Sequence, residues 1–263
     1  MTTLRVYVEG IGLWSPQLAN FAALKSLLNG TPPPAPPARP TADTLPANER
    51  RRAPESVLLA VEVAAQAVAM SARDAGQLAC VFSSGQGDQA VTDYMCATLA
   101  RAPTELSPTR FHNSVHNAPV GYWTIATHCR APSTAVCAQR ASFGAGLLEA
   151  ASQVLADQCP VLMTCSDVGG YGPIAEVICC TQSFGCALVL APAPSDRSIA
   201  TLELHLTASD VETELAEPLA SWRDASASGS GLTLLVALAR GGRSCQVRAG
   251  AELGLHIDLE NVV

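Results

Sequence analysis

The chain of 263 residues is 48% apolar and 15% charged, which is typical of one globular α/β domain with its own core. Its net charge of −7 argues against a nucleic-acid-binding surface, and no apolar run reaches the roughly 20 residues of a membrane span. The mean hydropathy of +0.22 is high, so we expect either a large core or an apolar interface.

Ten cysteines and the absence of a secretory signal after Met1 predict a cytoplasmic chain with reduced thiols. No two cysteines have the C-x-x-C spacing of a zinc site, so most are expected to be small buried residues and no metal is predicted. The glycines of residues 169–172 mark a turn but do not form a nucleotide-binding pattern, so no cofactor is predicted.

The predicted elements alternate along the chain. An opening strand at residues 4–8 leads to a glycine turn at residues 10–12. Helices are predicted at residues 18–28, 55–70, 89–100, 118–128, 141–155 and 232–240, the last one capped by Ser230. Further strands are predicted at residues 78–83, 133–138, 161–165, 185–190, 199–206, 245–247 and 253–259. This alternation predicts a mixed sheet covered by helices on both faces.

Two segments between these elements are predicted to be loops. Residues 31–54 contain eight prolines, which favours an ordered extended segment or a mobile loop over a helix. Residues 105–117 are polar and loop-like.

The most informative stretch is residues 117–150. Asn117 leads a predicted helix that contains Gly121 and a Thr-Ile pair, and residues 130–133 (Arg-Ala-Pro-Ser) form a turn before a strand and a helix of small residues. This order resembles the β-ketoacyl-acyl carrier protein synthases of the thiolase superfamily, and the resemblance covers at least the first 190 residues. It implies a thiolase-like α/β fold with mixed sheets between helical layers.

In the enzymes that the chain resembles, a nucleophilic cysteine stands where the strand meets the helix. A thiolate there gains from the helix dipole and from backbone N–H groups, which also bind the thioester oxyanion. Counting without gaps places this position at Arg140, with Gln139 just before it. Arginine stays protonated and cannot attack a thioester, so no catalytic residue is predicted. Cys137, three residues earlier, is either a displaced nucleophile or a packing thiol.

The histidines depart from the family pattern as well. Catalytic synthases have two histidines in glycine-rich loops of their C-terminal half, whereas none of the five histidines here has such a setting. They are His112, His116, His128, His205 and His256. The resemblance therefore implies a single domain in which residues 1–192 form the first half of a synthase and residues 193–263 an abbreviated second half.

This joint loss is similar to chain-length-factor subunits, and above all to the short synthase-like partner proteins of aryl polyene clusters. Residues 45–54 (LPANERRRAP) and 110–123 (RFHNSVHNAPVGYW) look like that short group. The resemblance implies a non-catalytic subunit that pairs with an active synthase through residues 132–138, with a growing polyene or fatty acyl chain in a tunnel. Two alternatives stay open: an acyltransferase using Cys137 with His112 or His116 as base, and a homodimeric scaffold or acyl-binding protein.

The resemblance also suggests where this function would reside. The predicted helix at residues 89–100 occupies the place of the tunnel-gating segment, although ordinary packing would explain its side chains equally well. The candidate tunnel or interface residues are Val91, Thr92, Tyr94, Met95, His112, Trp123, Ser133 and Phe143. The run Arg50, Arg51 and Arg52 is either a docking site for an acyl carrier protein and its phosphopantetheine phosphate, or a solvated charge run.

Overall fold

The computed structural model describes residues 3–170, 174–178, 180–209 and 211–261. Tyr171 and Gly172 of the predicted glycine turn, and Cys179, lie outside these ranges. Within them, each helix is too short or too polar to cross a lipid bilayer.

The part of the chain that the structure describes has eight strands: β1 (Leu4–Trp14), β2 (Ala79–Ser83), β3 (Ser133–Val136), β4 (Val161–Asp167), β5 (Phe184–Ala191), β6 (Ala200–Thr207), β7 (Ser244–Arg248) and β8 (Gly254–Asn261). The ten helices of the described residues are α1 (Phe21–Leu28), α2 (Ala47–Arg52), α3 (Glu55–Ser71), α4 (Gln89–Arg101), α5 (Pro108–His112), α6 (Ala118–Ala126), α7 (Ser142–Asp157), α8 (Ile174–Ile178), α9 (Leu219–Asp224) and α10 (Ser230–Arg240).

All eight strands join one sheet in the order β3-β2-β4-β5-β1-β6-β8-β7. The strands β3, β2 and β4 are parallel, and every other pairing is antiparallel. The predicted mixed sheet is therefore confirmed. Apart from β1, each predicted strand and helix is found with its ends within three residues of the expected positions.

Helices cover the two faces of the sheet with separate cores. On one face α3 packs against β1, β5 and β4, and α6 packs against α3, β2 and β3; Leu59 and Trp123 are among the buried side chains. On the other face α1, α7 and α10 surround Phe143 and Leu147. Because α7 contacts β2 near one edge and β7 at the other edge, the sheet curves around this helix. Both faces of the central strands are consequently buried, which explains their continuous apolar runs.

The turn predicted at residues 10–12 is wrong, because β1 continues through it to Trp14. The two glycines serve helix packing instead. A Cβ atom at Gly10 would lie 2.0 Å from the Ala67 carbonyl oxygen, and one at Gly12 would lie 1.9 Å from that of Val63. The bare backbone of β1 thus lets α3 approach more closely than any side chain would allow.

The proline-rich segment is only partly irregular. Residues 47–52 form the short helix α2, so the prediction that this segment lacks helix is wrong there. Upstream, the carboxylate of Glu62 on α3 accepts hydrogen bonds from the Thr41 hydroxyl at 2.8 Å and the Ala42 N–H at 2.9 Å. These bonds anchor the segment to α3, which favours the ordered alternative.

Other local predictions need correction. The predicted loop at residues 105–117 contains helix α5, whose N-cap is Ser107. Ser230 is the first residue of α10 and does not cap it, since Gly229 holds the cap position and the Ser230 hydroxyl donates to Glu212. The short helices α8 and α9 were not predicted, because five or six residues show too little periodicity.

Candidate functional site

A sharp turn joins β3 to α7, where the sequence places the degenerate nucleophile position. Gln139 has a φ of +51°, in the left-handed region that non-glycine residues rarely adopt. The Ser142 hydroxyl holds this turn, because it accepts from the Ala138 N–H at 2.9 Å and donates to the Gln139 carbonyl at 2.7 Å. The structure therefore sets Gln139 at the apex of the turn, with Arg140 following it.

Both side chains of the turn are accessible, but Arg140 is held in place. Its guanidinium donates a hydrogen bond of 2.7 Å to the Asp224 carbonyl at the end of α9. Arg140 borders a cavity of about 320 Å³ whose wall also contains Glu212, Arg223 and Asp224. Mixed charges of this kind pair with one another, as Arg223 does with Asp224 at 2.8 Å. At the position where the resemblance predicts a thiolate, the turn offers a fixed cation and an amide.

Cys137 is exposed and is the thiol closest in sequence to the turn. Its Sγ lies 3.5 Å from the Gly85 carbonyl oxygen and makes no hydrogen bond to a histidine within the described residues. Six of the nine described cysteines are buried, which confirms the packing role for these six. Burial raises the pKa of Cys165 and of Cys245 to about 12, so neither is a thiolate at neutral pH.

The loop between β2 and α4 packs against this turn, and a buried carboxylate holds it. Asp167, at the end of β4, accepts from the Ser84 hydroxyl at 2.6 Å, from the Gly85 and Gln86 N–H groups at 2.9 and 3.1 Å, and from the Ser228 hydroxyl. Burial raises the pKa of Asp167, although these donors oppose the shift. Sequence reasoning missed this residue; an acid at the end of an apolar strand was the available signal.

The two candidate histidines, His112 and His116, differ in burial and in contacts. His116 is half-buried, and its Nε2 is 3.1 Å from the Ser84 carbonyl oxygen, so it holds the same loop as Asp167 from another side. His112 ends α5 and is exposed. His116 thus has a structural role in this part of the chain.

The candidate residues of α4 occupy four different settings. Val91 is buried, while Thr92 is exposed and its hydroxyl donates to the Asp88 carbonyl. The Tyr94 hydroxyl accepts from the Ser107 N–H at 3.0 Å, and the Arg110 guanidinium lies 4.0 Å from the centre of its ring. Tyr94 therefore joins α4 to α5. Met95 is partly exposed, so it remains available to a ligand.

An apolar groove of about 760 Å³ runs between α2, α5 and α6. It is lined by Leu45, Pro46, Glu49, Arg52, Pro108, Thr109, His112, Val115, Asn117, Ala118, Gly121, Tyr122, Ile125, Ala126 and His128. Ile125 is 77% exposed and Val115 is 51% exposed, which is unusual for such side chains. Trp123 of the same helix points inward and is buried in the core, as is Phe143 of α7. Of the candidate tunnel or interface residues, only His112 lines this groove.

Ser133 and the three arginines complete the candidate set. Ser133 begins β3, which forms one edge of the sheet and, among the described strands, pairs with β2 alone. The arginines form α2 but face different ways: Arg50 and Arg51 line a cavity beside the proline-rich segment, whereas Arg52 lines the apolar groove.

The family profile for the beta-ketoacyl synthase N-terminal domain matches residues 27–253. The chain belongs to the beta-ketoacyl synthase family. A search of curated proteins finds no match to this synthase-family chain. The match continues past residue 192, and the division of the chain into a first half and an abbreviated second half stays a prediction.

Solved structures share its fold over almost the whole length. A chain of the ketosynthase ApeO–chain length factor ApeC complex from Xenorhabdus doucetiae is 23% identical, with a TM-score of 0.74 over 97% of this chain and 99% of that one. The ishigamide ketosynthase/chain length factor is 14% identical, with a TM-score of 0.73 over 99% of this chain and 100% of that one. A chain of the AntDE:AntF complex, a ketosynthase with its acyl-carrier protein, is 11% identical, with a TM-score of 0.72 over 98% of this chain and 99% of that one. The predicted thiolase-like fold is thus confirmed.

Proposed function

We propose that this chain is a non-catalytic, chain-length-factor-like subunit that pairs with an active β-ketoacyl-acyl carrier protein synthase in the cytoplasm. The pair would elongate a polyene or fatty acyl chain. The observation that carries the proposal is the turn before α7, where Gln139 and Arg140 stand in place of a nucleophilic cysteine and Arg140 is bonded to Asp224.

The edge strand β3 supports the pairing. Cys80 and Ser84 of the β2 segment donate to the carbonyls of Pro132 and Val136, so the backbone groups of residues 134 and 136 face β2. By alternation, the N–H and C=O groups of Ser133 and Ala135 point away from β2 toward the open edge. An open edge of this kind is a template for a strand from another chain.

The apolar groove is a second observation in favour of the proposal, since it offers a surface for an acyl chain or for the partner subunit. Ile125 and Val115 expose apolar area that would gain free energy on burial, at roughly 25 cal/mol per Å². His112 lines the same groove, and Met95 of α4 is partly exposed. We include Val91, Thr92 and Tyr94 of α4 in the length-determining segment, with Tyr94 acting through its contact with α5.

The carrier protein would approach through α2. The chain has a net charge of −7, but α2 carries Arg50, Arg51 and Arg52, and these cations favour an acidic carrier and its phosphopantetheine phosphate. Several solved structures with this fold contain a ketosynthase paired with a chain length factor, and one contains an acyl-carrier protein.

The test is co-expression with a full-length synthase from the same gene neighbourhood, followed by copurification. We expect a heterodimer that Ala135→Pro disrupts, because proline removes the outward N–H without touching the bonds to β2. Ala135→Val keeps that N–H and serves as the matched control. Failure of the parent chain to copurify, or equal binding by the proline variant, would contradict the proposed pairing.

Chain-length control is tested on the reconstituted pair. Replacing Met95 with Trp would shorten the product, whereas Met95→Ala would lengthen it. An unchanged product distribution in both variants would argue against a role for α4 in length control.

The exposure of Cys137 keeps the acyltransferase alternative testable. The isolated chain is incubated with acyl carrier thioesters and its intact mass is measured. We expect no adduct. An acyl adduct that disappears in Cys137→Ser would overturn the non-catalytic assignment, with His116, which contacts the same loop as Cys137, as the candidate base.

A further inference from the structure

A second cavity, of about 450 Å³, lies between the proline-rich segment and α2. It is lined by Pro37, Ala38, Arg39, Pro40, Thr41, Ala47, Arg50, Arg51 and Leu58. Three of these nine residues are arginines and none is acidic. This composition opposes the net charge of −7 that the whole chain carries.

The geometry of α2 separates the arginine run into two groups. Successive residues of a helix point about 100° apart, so three neighbours cannot share one face. Arg50 and Arg51 border the cavity together with Arg39 from the loop opposite, whereas Arg52 borders the apolar groove and a smaller cavity beside α4. The sequence run is therefore not one basic patch.

Two of the three guanidinium groups lack a carboxylate partner. Arg50 pairs with Asp43. Within the described part of the chain, Arg51 bonds only to the Asn48 side-chain oxygen at 3.3 Å, and Arg39 forms no salt bridge. Two uncompensated cations therefore line the same solvent-open cavity, which favours an anionic ligand.

The opposite wall of the cavity is held firmly. Pro40 and Ala42 are buried. At the end of this wall, the Glu62 carboxylate of α3 accepts hydrogen bonds from the Thr41 hydroxyl and the Ala42 N–H. Arg50 is oriented by Asp43. A site that is already shaped loses less entropy when a ligand binds than a mobile loop would.

We propose that this cavity binds the phosphate group of an organic phosphate ester, with Arg39 and Arg51 as its principal ligands. Guanidinium groups match phosphate oxygens with two parallel hydrogen bonds. A volume of about 450 Å³ exceeds what inorganic phosphate fills and lies within the range of small-molecule sites. The proline rings and Leu58 offer the apolar surface against which the organic part of the ester would pack.

Calorimetric titration of the full chain at low ionic strength tests the site. The probes are 4′-phosphopantetheine, adenosine 3′,5′-bisphosphate and inorganic phosphate. We expect at least one ester to bind at least about tenfold more tightly than inorganic phosphate, and the preferred ester shows whether the source is a pantetheine or a nucleotide. Absence of binding up to millimolar concentration, or equal affinity for all three probes, would overturn the proposal.

Variants separate this site from general charge attraction. Arg39→Ala and Arg51→Ala should each weaken binding by about tenfold or more, as expected for the loss of charge-assisted hydrogen bonds. Arg39→Lys keeps the charge but not the paired donors, so it should also bind more weakly. Arg130→Ala, an exposed arginine outside the cavity, is the matched control and should change affinity less than about twofold. Equal losses in Arg51→Ala and Arg130→Ala would overturn the assignment, with circular dichroism confirming that each variant is folded. The assay needs no synthase partner, so its outcome is independent of the proposed pairing.

Discussion

Arg140 donates a hydrogen bond of 2.7 Å to the backbone carbonyl of Asp224, a residue 84 positions later in the chain. The bond ties the turn before α7 to the end of α9. Arg223 strengthens the same corner, since its Nε lies 2.8 Å from the Asp224 carboxylate and 3.6 Å from that of Glu212. The residue at the predicted nucleophile position thus acts as a structural clamp.

Removing this clamp should cost stability. Arg140→Ala loses one hydrogen bond from a charged donor at a partly exposed site, so the free energy of unfolding should fall by about 1 kcal/mol. Urea denaturation of the isolated chain measures this loss. Arg130→Ala, an exposed arginine ten residues earlier without a hydrogen bond in the described residues, should leave stability unchanged. Equal stability of both variants would show that the Arg140 bond contributes nothing.

Replacing either of two glycines with alanine should change the free energy of unfolding, but in opposite directions. Gly12 lies in the close contact of β1 with α3, whereas Gly121 has open space around it. Gly12→Ala would place its Cβ 1.9 Å from the Val63 carbonyl, so strand and helix must separate, and the expected loss is about 3 kcal/mol. At Gly121 on α6 a Cβ would meet nothing within 4 Å, so Gly121→Ala should stabilise the chain by about 0.5 kcal/mol. Thermal denaturation of the two variants checks both signs.

These glycines show why part of the fold escaped prediction. The pattern of apolar residues correctly predicts the six longer helices and nearly all strands, because periodicity is a local property. Gly10 and Gly12 look like turn residues by composition. Glycine is needed there because the backbone of α3, which is distant in sequence, lies too close for a side chain. The helices α8 and α9 are too short to show a period.

The candidate site was predictable only in part for the same reason. The motif at residues 117–150 located the turn before α7, and Arg140 and Cys137 do lie beside it. Asp167 and Ser228 come from other segments, and only folding brings them to the loop at residues 84–87. The separation of Arg52 from Arg50 and Arg51 likewise depends on where α2 docks.

A buried ion pair predicts a pH dependence of stability. Burial of Glu9 disfavours its charge, but bonds from Arg73 at 2.8 Å and Ser195 at 2.7 Å outweigh burial and lower its pKa below the ordinary value of 4.5. The unfolded chain therefore takes up the proton first as pH falls. The stabilisation by this pair is complete well above pH 4.5 and is lost as pH falls through the folded-state pKa.

Glu9→Gln tests this reasoning. At pH 7 the variant should lose about 2 kcal/mol of unfolding free energy, and the difference from the parent should shrink as pH falls below about 4. Glu203→Gln removes the partly exposed partner of Arg5 and should cost less than about 0.5 kcal/mol at either pH. A Glu9→Gln loss that stays constant across this pH range would exclude ionisation of Glu9 as its source. Denaturation at several pH values provides the measurement.

Asp167 should control the mobility of the loop that borders the candidate site. Its carboxylate accepts from the N–H groups of both Gly85 and Gln86, so Asp167→Asn places amide hydrogens against donors. We expect the Gly85 and Gln86 amides to exchange with solvent at least about tenfold faster in this variant, which corresponds to about 1.4 kcal/mol. The Val91 amide, which donates to Asp88 at 2.8 Å, is an internal reference that should not change. Equal acceleration at all three amides would indicate global destabilisation and contradict a local role for Asp167. Hydrogen exchange followed by NMR resolves the three sites.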